Sequence, residues 1–294
     1  ACVGMPSPVP PLSLLLLASQ LPRAASQSAC VVEHCGAQLA RCLADTACRG
    51  WSLCNAGCGL GTEALACNQR CADLHTPLRG SPAIDAFSIC TISDHHCVPQ
   101  RRQRCAVPRN TLPALELAAF EGDWWVTRGL NPIFDCFDCQ RHTFSLGAAG
   151  EPKRLHGALR YSVKRDLHCS FPQRCEYVRR EVNQSFAQSN ATGHLANHGN
   201  PPAQLHYADD WYVIAHRPET YILVYYCGCN DADCGYSGAV LYTRSRSGAL
   251  DAADKAAVAA AARAAGVDGF ELSALCTPDN RACPGRGSTG PIFY

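Results

Sequence analysis

The sequence predicts a mainly β protein, a sandwich or a barrel followed by a C-terminal helix and preceded by a small disulfide-rich helical domain. Three observations lead there. Eleven cysteines crowd residues 30–105, runs of period two recur within residues 118–246, and an alanine-rich stretch follows them.

The chain has 294 residues, 47% of them hydrophobic and 17% charged, which suits two modest globular domains and excludes a disordered chain. The formal net charge of +1 leaves no basic surplus for a phosphate backbone, so nucleic acid is not an expected partner. The 11 histidines would add positive charge in an acidic compartment. Residues 1–29 read as a targeting segment: Leu12 and Leu14 to Leu17 form a short apolar core, and small residues follow from Ala24 to Ala29. That core is too short to span a bilayer.

The 21 cysteines predict disulfides and an oxidising compartment. Zinc modules repeat C-x-x-C knuckles or pair histidines at matching spacing, whereas Cys136 and Cys139 form that knuckle alone. No metal is therefore expected. Residues 30–105 form the Cys-rich domain, with short helical patterns such as Ala37–Leu43, because so small a unit needs covalent staples more than a core. Pro108 and Pro113 mark a linker, and the strand-rich domain with its closing helix occupies residues 114–266.

Within that domain, Asp209, Trp211 and Val213 share one strand face. Ile222, Val224 and Tyr226 share another, and Val240, Tyr242 and Arg244 a third. Many strands with few helices imply a sandwich or a barrel, and a barrel can hold a ligand inside. Asp251 to Ala265 is mostly alanine and predicts a helix with Gly266 as its C-cap. Residues 267–294 form a tail carrying Cys276 and Cys283.

Gly122-Asp123-Trp124 is similar to the G-x-W that opens lipocalin barrels, and Tyr242-Thr243-Arg244 to the late strand whose arginine packs over that tryptophan. This implies a lipocalin-like, eight-stranded antiparallel β-barrel. More specific runs are Gly129-Leu130-Asn131-Pro132, Phe137-Asp138-Cys139-Gln140, Leu205-His206-Tyr207, Asp209-Asp210-Trp211-Tyr212, Val224-Tyr225-Tyr226 and Tyr242-Thr243-Arg244-Ser245. With the cysteine spacings from Cys30 through Cys97, they resemble the violaxanthin de-epoxidase family over about residues 30–283.

The resemblance implies an ascorbate-dependent oxidoreductase of the photoprotective xanthophyll cycle. It would open the 5,6-epoxide of violaxanthin and related epoxy-carotenoids reductively, giving antheraxanthin and then zeaxanthin. It implies a chloroplast protein of the thylakoid lumen, peripheral to the galactolipid membrane surface at low pH, with an acid-induced homodimer. Ascorbate is the reducing co-substrate.

Epoxide opening needs an acid, because an alkoxide leaves poorly. The resemblance makes Asp209 the leading candidate, with Asp135, Tyr226 and Tyr242 as its catalytic companions. Gln140, Gln184 and Trp211 match substrate-binding positions, and His142, His198 and His206 match pH-sensing histidines near the barrel mouth. Bland alternatives stand beside each: Asp209 ends a loop, the tyrosines pack as core, the glutamines satisfy backbone groups, and the histidines are solvated. The spacing of the cysteines leaves many pairings open. The family pattern gives Cys30–Cys48, Cys35–Cys42, Cys54–Cys71, Cys58–Cys67, Cys90–Cys97 and Cys139–Cys283.

Departures from the family are specific. Cys105, Cys136, Cys169, Cys175, Cys227, Cys229, Cys234 and Cys276 have no counterpart in it, Cys227 and Cys229 replacing arginines. Asp233 replaces a tryptophan and Ser145 a histidine, and the family's glutamate-rich C-terminal region has no match. Two rival functions follow: an isomerase of epoxy-carotenoids that consumes no ascorbate, and a carotenoid- or lipid-binding lipocalin without catalysis.

Overall fold

A computed structural model describes residues 11–58, 62–77, 80–98, 104–151, 153–165, 176–190, 192–198, 207–231, 233–267, 269–281, 283 and 292–293. Cys169, Cys175 and His206 lie outside the described residues.

The head contains α1 (Pro11–Ala44), α2 (Thr46–Ala56), α3 (Thr62–His75) and α4 (Pro82–Ser88), followed by a π turn over Ile89–Asp94. Asp45 caps α2 by accepting the Cys48 N–H, and Ser81 caps α4 by accepting the Ile84 N–H. Among the described residues, no helix is long and apolar enough to cross a membrane.

The head disulfides correct part of the family-derived set. Cys54–Cys71 and Cys58–Cys67 coincide with it. The expected Cys30–Cys48, Cys35–Cys42 and Cys90–Cys97 are replaced by Cys30–Cys97, Cys35–Cys90 and Cys42–Cys48. The reason is helical reach. Cys35 and Cys42 both sit on α1, where seven residues rise about 10 Å, whereas a disulfide needs Cα atoms within roughly 7 Å. Cys42 instead turns the corner to α2, with a Cα separation of 4.9 Å. Cys30 and Cys35 staple α1 to the segment that follows α4. The sulfurs of Cys58, Cys67 and Cys71 lie close enough together to suggest a metal site, but all three belong to disulfides.

The barrel is an antiparallel meander: β1 (Gly122–Gly129), β2 (Asp138–Leu146), β3 (Arg154–Lys164), β4 (Glu176–Gln188), β5 (His194–His198), β6 (Tyr207–Arg217), β7 (Tyr221–Asn230) and β8 (Asp233–Thr243). Each strand pairs with the next, and β8 returns to β1, which closes the sheet. A two-residue β9 (Ile292–Phe293) adds to the start of β4. The closed barrel of eight strands is the expected one.

Alternation explains which side chains go inside. Ile222, Val224 and Tyr226 point into the interior with Trp124, Phe144, Phe186, Trp211, Val213, Val240 and Tyr242. Their neighbours Tyr221, Leu223 and Tyr225 face outward under α5 (Ala252–Ala265), against Val258, Ala262 and Phe270. A strand covered on both faces reads as one apolar run, as Tyr221–Tyr226 does. Asp251 caps α5 by accepting the Asp254 N–H, and Gly266 ends it at φ 74°.

The barrel floor follows the lipocalin expectation. The Arg244 guanidinium lies 3.8 Å from the centroid of the Trp124 ring, and the Trp124 indole N–H donates to the Phe120 carbonyl at 2.7 Å. Gly122 adopts φ 95°, and a side chain there would press on Arg244. Arg244→Ala is expected to lower unfolding free energy by about 1–3 kcal/mol, through the lost cation–π contact and lost packing. Denaturant unfolding with intact disulfides reads this directly, and an unchanged midpoint would deny the floor its role.

The linker around Pro108 and Pro113 is bolted to the barrel rather than loose. Cys105 N–H donates to Cys234 O, Arg109 N–H to Ala265 O, and Leu112 N–H to Val213 O. Cys105–Cys227 fixes the same junction covalently. The tail is held by Cys136–Cys276 and by Cys139–Cys283, the latter as in the family-derived set, so the C-x-x-C pair reaches two partners in the tail. Cys229–Cys234 bridges the β7–β8 hairpin.

Candidate active site

A cavity of about 440 Å³ opens inside the barrel. Asp135, Gln140, His142, Gln184, Asp209, Trp211, Tyr226 and Tyr242 all line it. The strands explain the convergence: Gln140 and His142 are two apart on β2, Asp209 and Trp211 on β6, and Tyr226 and Tyr242 face inward from β7 and β8.

Asp135 enters from the loop after β1. The Asn131-Pro132 turn brings it back under the strand, with the Asp135 N–H donating to Asn131 O at 2.8 Å. Its Oδ2 accepts the Asn131 N–H at 2.7 Å, and its Oδ1 accepts the Tyr226 hydroxyl at 2.7 Å. Gly129 makes room, since a Cβ there would collide with Asp135, and Gly238 does the same for Tyr226. Burial pushes the Asp135 carboxyl up to about 7, opposed by its hydrogen bonds and reinforced by the nearby Asp209 charge. The Tyr226 phenol is held well above its ordinary range, first by burial and then by Asp135, so it keeps its proton.

Asp209 is buried, and its Oδ2 accepts the Trp211 indole N–H at 2.7 Å. The shared strand face of Asp209 and Trp211 thus becomes a direct hydrogen bond. Gln140 donates from Nε2 to Phe134 O at 3.0 Å, while its buried Oε1 has no hydrogen-bond partner in the protein. Such an acceptor, on a residue that lines the cavity, suits a ligand hydroxyl.

His142 corrects the expectation of a histidine at the barrel mouth. It is 1% exposed, inside the barrel, with Nδ1 2.7 Å from the Tyr242 hydroxyl and Nε2 2.7 Å from Gln184 Oε1. The amide oxygen can only accept, so Nε2 carries the proton and Nδ1 accepts from Tyr242. Burial lowers the His142 imidazole to about 4, so the ring is neutral above that pH. The reason for its position is the register of β2, where Gln140, His142 and Phe144 alternate inward. His198 lies on β5 at the surface. Both it and His194 place Nε2 3.1 Å from Asp210 Oδ1.

Several lining residues carried no assigned role in the sequence. Phe134, Phe137, Tyr161 and Tyr236 supply aromatic walls, and Asp73, Tyr161 and Arg180 meet at the seam with the head. One signal was present for Tyr236: Gly228 faces it across the hairpin, and a strand glycine marks close approach.

A closed barrel with a G-x-W floor and a cavity lined by Asp135, Asp209, Tyr226, Tyr242 and the buried His142 defines a lipocalin-type barrel with titratable groups inside. The chain belongs to the violaxanthin de-epoxidase family, the family model described as the VDE lipocalin domain matching residues 27–280. The violaxanthin de-epoxidase of Spinacia oleracea, described as chloroplastic, is 36% identical over 225 residues, covering 74% of this chain and 44% of that protein. The chloroplastic violaxanthin de-epoxidase of Arabidopsis thaliana is likewise 36% identical over 225 residues, covering 74% of this chain and 46% of its own. The match therefore spans a little under half the length of these relatives. Among solved structures, lipocalin 12 from rat epididymis aligns with a TM-score of 0.41 at 14% identity, over 60% of this chain and 93% of that one. Lobster apocrustacyanin A1 aligns with a TM-score of 0.37 at 14% identity, over 59% of this chain and 92% of its own.

Proposed function

We propose that the protein is a violaxanthin de-epoxidase-like oxidoreductase that opens carotenoid 5,6-epoxides reductively, with ascorbate as electron donor. The observation that carries this reading is Asp135: a buried carboxyl that holds its proton up to about pH 7, in one cavity with Asp209. A proton held there is available to the ring oxygen as a C–O bond breaks. The two carboxyls divide the work that the sequence assigned chiefly to Asp209. Asp135 supplies the proton, relayed or steadied by Tyr226. Asp209, oriented by Trp211, opposes the positive charge that grows on the ring carbon.

The balance is simple. Both C–O bonds of the epoxide break, the oxygen leaves as water, and the ring carbons become an alkene. Ascorbate gives up two electrons and two protons and becomes the diketone. Gln140 and Gln184 orient the ring, and Tyr242 with neutral His142 makes a fixed wall. The cavity suits one end group of a long carotenoid, which has its polyene leading out. The protein then works in the thylakoid lumen, at the galactolipid surface under acid conditions.

The test is chromatography of pigments after oxidised protein meets violaxanthin in galactolipid, with and without ascorbate, at mildly acidic and neutral pH. Zeaxanthin that appears only with acid and ascorbate is the expected result. A new isomer formed without ascorbate would replace this reading with the isomerase, and bound but unchanged violaxanthin would replace it with a carrier. The disulfides at Cys227 and Cys229, in place of family arginines, make the ascorbate control decisive.

A further inference from the structure

The barrel does not enclose its cavity unaided. α3 of the head lies against β3 and β4, and Gln69, Ala72, Asp73 and Thr76 line the same space as Asp135 and Asp209. Asp73 is 2% exposed. Its Oδ1 accepts the Tyr161 hydroxyl from β3 at 2.7 Å, and Arg180 Nε from β4 stands 3.8 Å from the same oxygen. Gln69 donates to its other oxygen at 3.4 Å, and Arg180 Nη1 donates to the Thr76 carbonyl. One buried carboxylate thus gathers groups from α3, β3 and β4 at the rim of the cavity. Breaking such a cluster strands a buried charge, which makes it a strong clamp. Other ties between head and barrel, among them Cys105–Cys227, Ser93 to Asp231 at 2.7 Å and Arg70 to the Arg165 carbonyl, join residues outside the cavity lining.

We propose that the head is a working part of the reaction cavity: α3 forms one of its walls, and Asp73, clamped by Tyr161 and Arg180, is the positioning residue that holds this wall against the substrate ring. This rests on the reaction proposed for the same cavity. The clamp responds to acid in a definite direction. Burial raises the Asp73 carboxyl, against the pull of Tyr161, Arg180, Gln69 and Arg70, the groups that face it from β3, β4 and α3. The docked wall therefore binds the proton more tightly than an undocked one, and it grows firmer as pH falls.

The test is Asp73→Ala, which removes the acceptor altogether, in the full chain with its disulfides intact, with Tyr161→Phe as a second variant. Hydrogen-exchange protection of α3 should fall about tenfold or more, while β6–β8 stay as in the wild type. KM for the epoxy-carotenoid should rise by a similar factor and KM for ascorbate by much less. The gain in α3 protection on acidification should disappear in Asp73→Ala. Wild-type protection and wild-type KM in both variants would overturn the inference. A wild-type protein that binds pigment without converting it would defeat the proposed reaction alone. The wall would then still be read from α3 exchange and from pigment affinity, measured by tryptophan quenching, and unchanged values in the variants would overturn it there too.

Discussion

Asp135→Asn is expected to lower epoxide turnover by about 100- to 10,000-fold while leaving the disulfides and pigment binding in place, the range that a positioned general acid contributes. The amide has nearly the shape of the carboxyl and can still meet the Asn131 N–H and the Tyr226 hydroxyl, so the loss isolates the proton. The wild-type profile carries the same signature. A carboxyl raised to about 7 is protonated below that value, so turnover should climb as pH falls through it and then level. Steady-state rates across the acid-to-neutral range read both effects. A variant that keeps more than about a tenth of wild-type turnover would remove Asp135 from the acid role.

Asp209→Asn should cost about 100-fold at the plateau, because a fixed charge beside a developing opposite charge is worth that much in a dry site. It should also move the profile. Asp209 is one of the causes that raise the Asp135 carboxyl, so a neutral amide in its place should let Asp135 lose its proton more readily. The rise in turnover then shifts to lower pH than in the wild type. Carotenoid binding should persist, because the amide oxygen of the variant still accepts the Trp211 indole N–H. A drop in rate with no shift would mean that the two carboxyls do not communicate. A shift with no drop would confine Asp209 to tuning its neighbour.

Much of the site was legible because a strand is a simple ruler. Asp209 and Trp211 stand two apart, and the structure joins them by a hydrogen bond. Gln140 and His142 obey the same rule, and the inward register of β2 that buries His142 was readable from Gln140, His142 and Phe144 alternating with polar residues. The expectation of a histidine at the mouth came instead from a resemblance, which carries no register. The head disulfides were misassigned for a related reason. Pairing by family pattern ignored that one element, α1, carries both Cys35 and Cys42 and holds them apart. The Asp73, Tyr161 and Arg180 cluster had no local signal. Tyr161 and Arg180 are register partners across β3 and β4, but Asp73 comes from α3, far away in sequence, and only the docking of head on barrel brings it to them.

The central claim is that a carboxyl inside the barrel keeps its proton into the neutral range and delivers it to the epoxide. Infrared difference titration of the protonated-carboxyl band, run beside turnover on the same samples, tests it most directly. The account predicts a band that titrates near pH 7, is missing from Asp135→Asn, and rises and falls with activity. A protein that turns over epoxide with no such band, or whose band survives in Asp135→Asn, would contradict it.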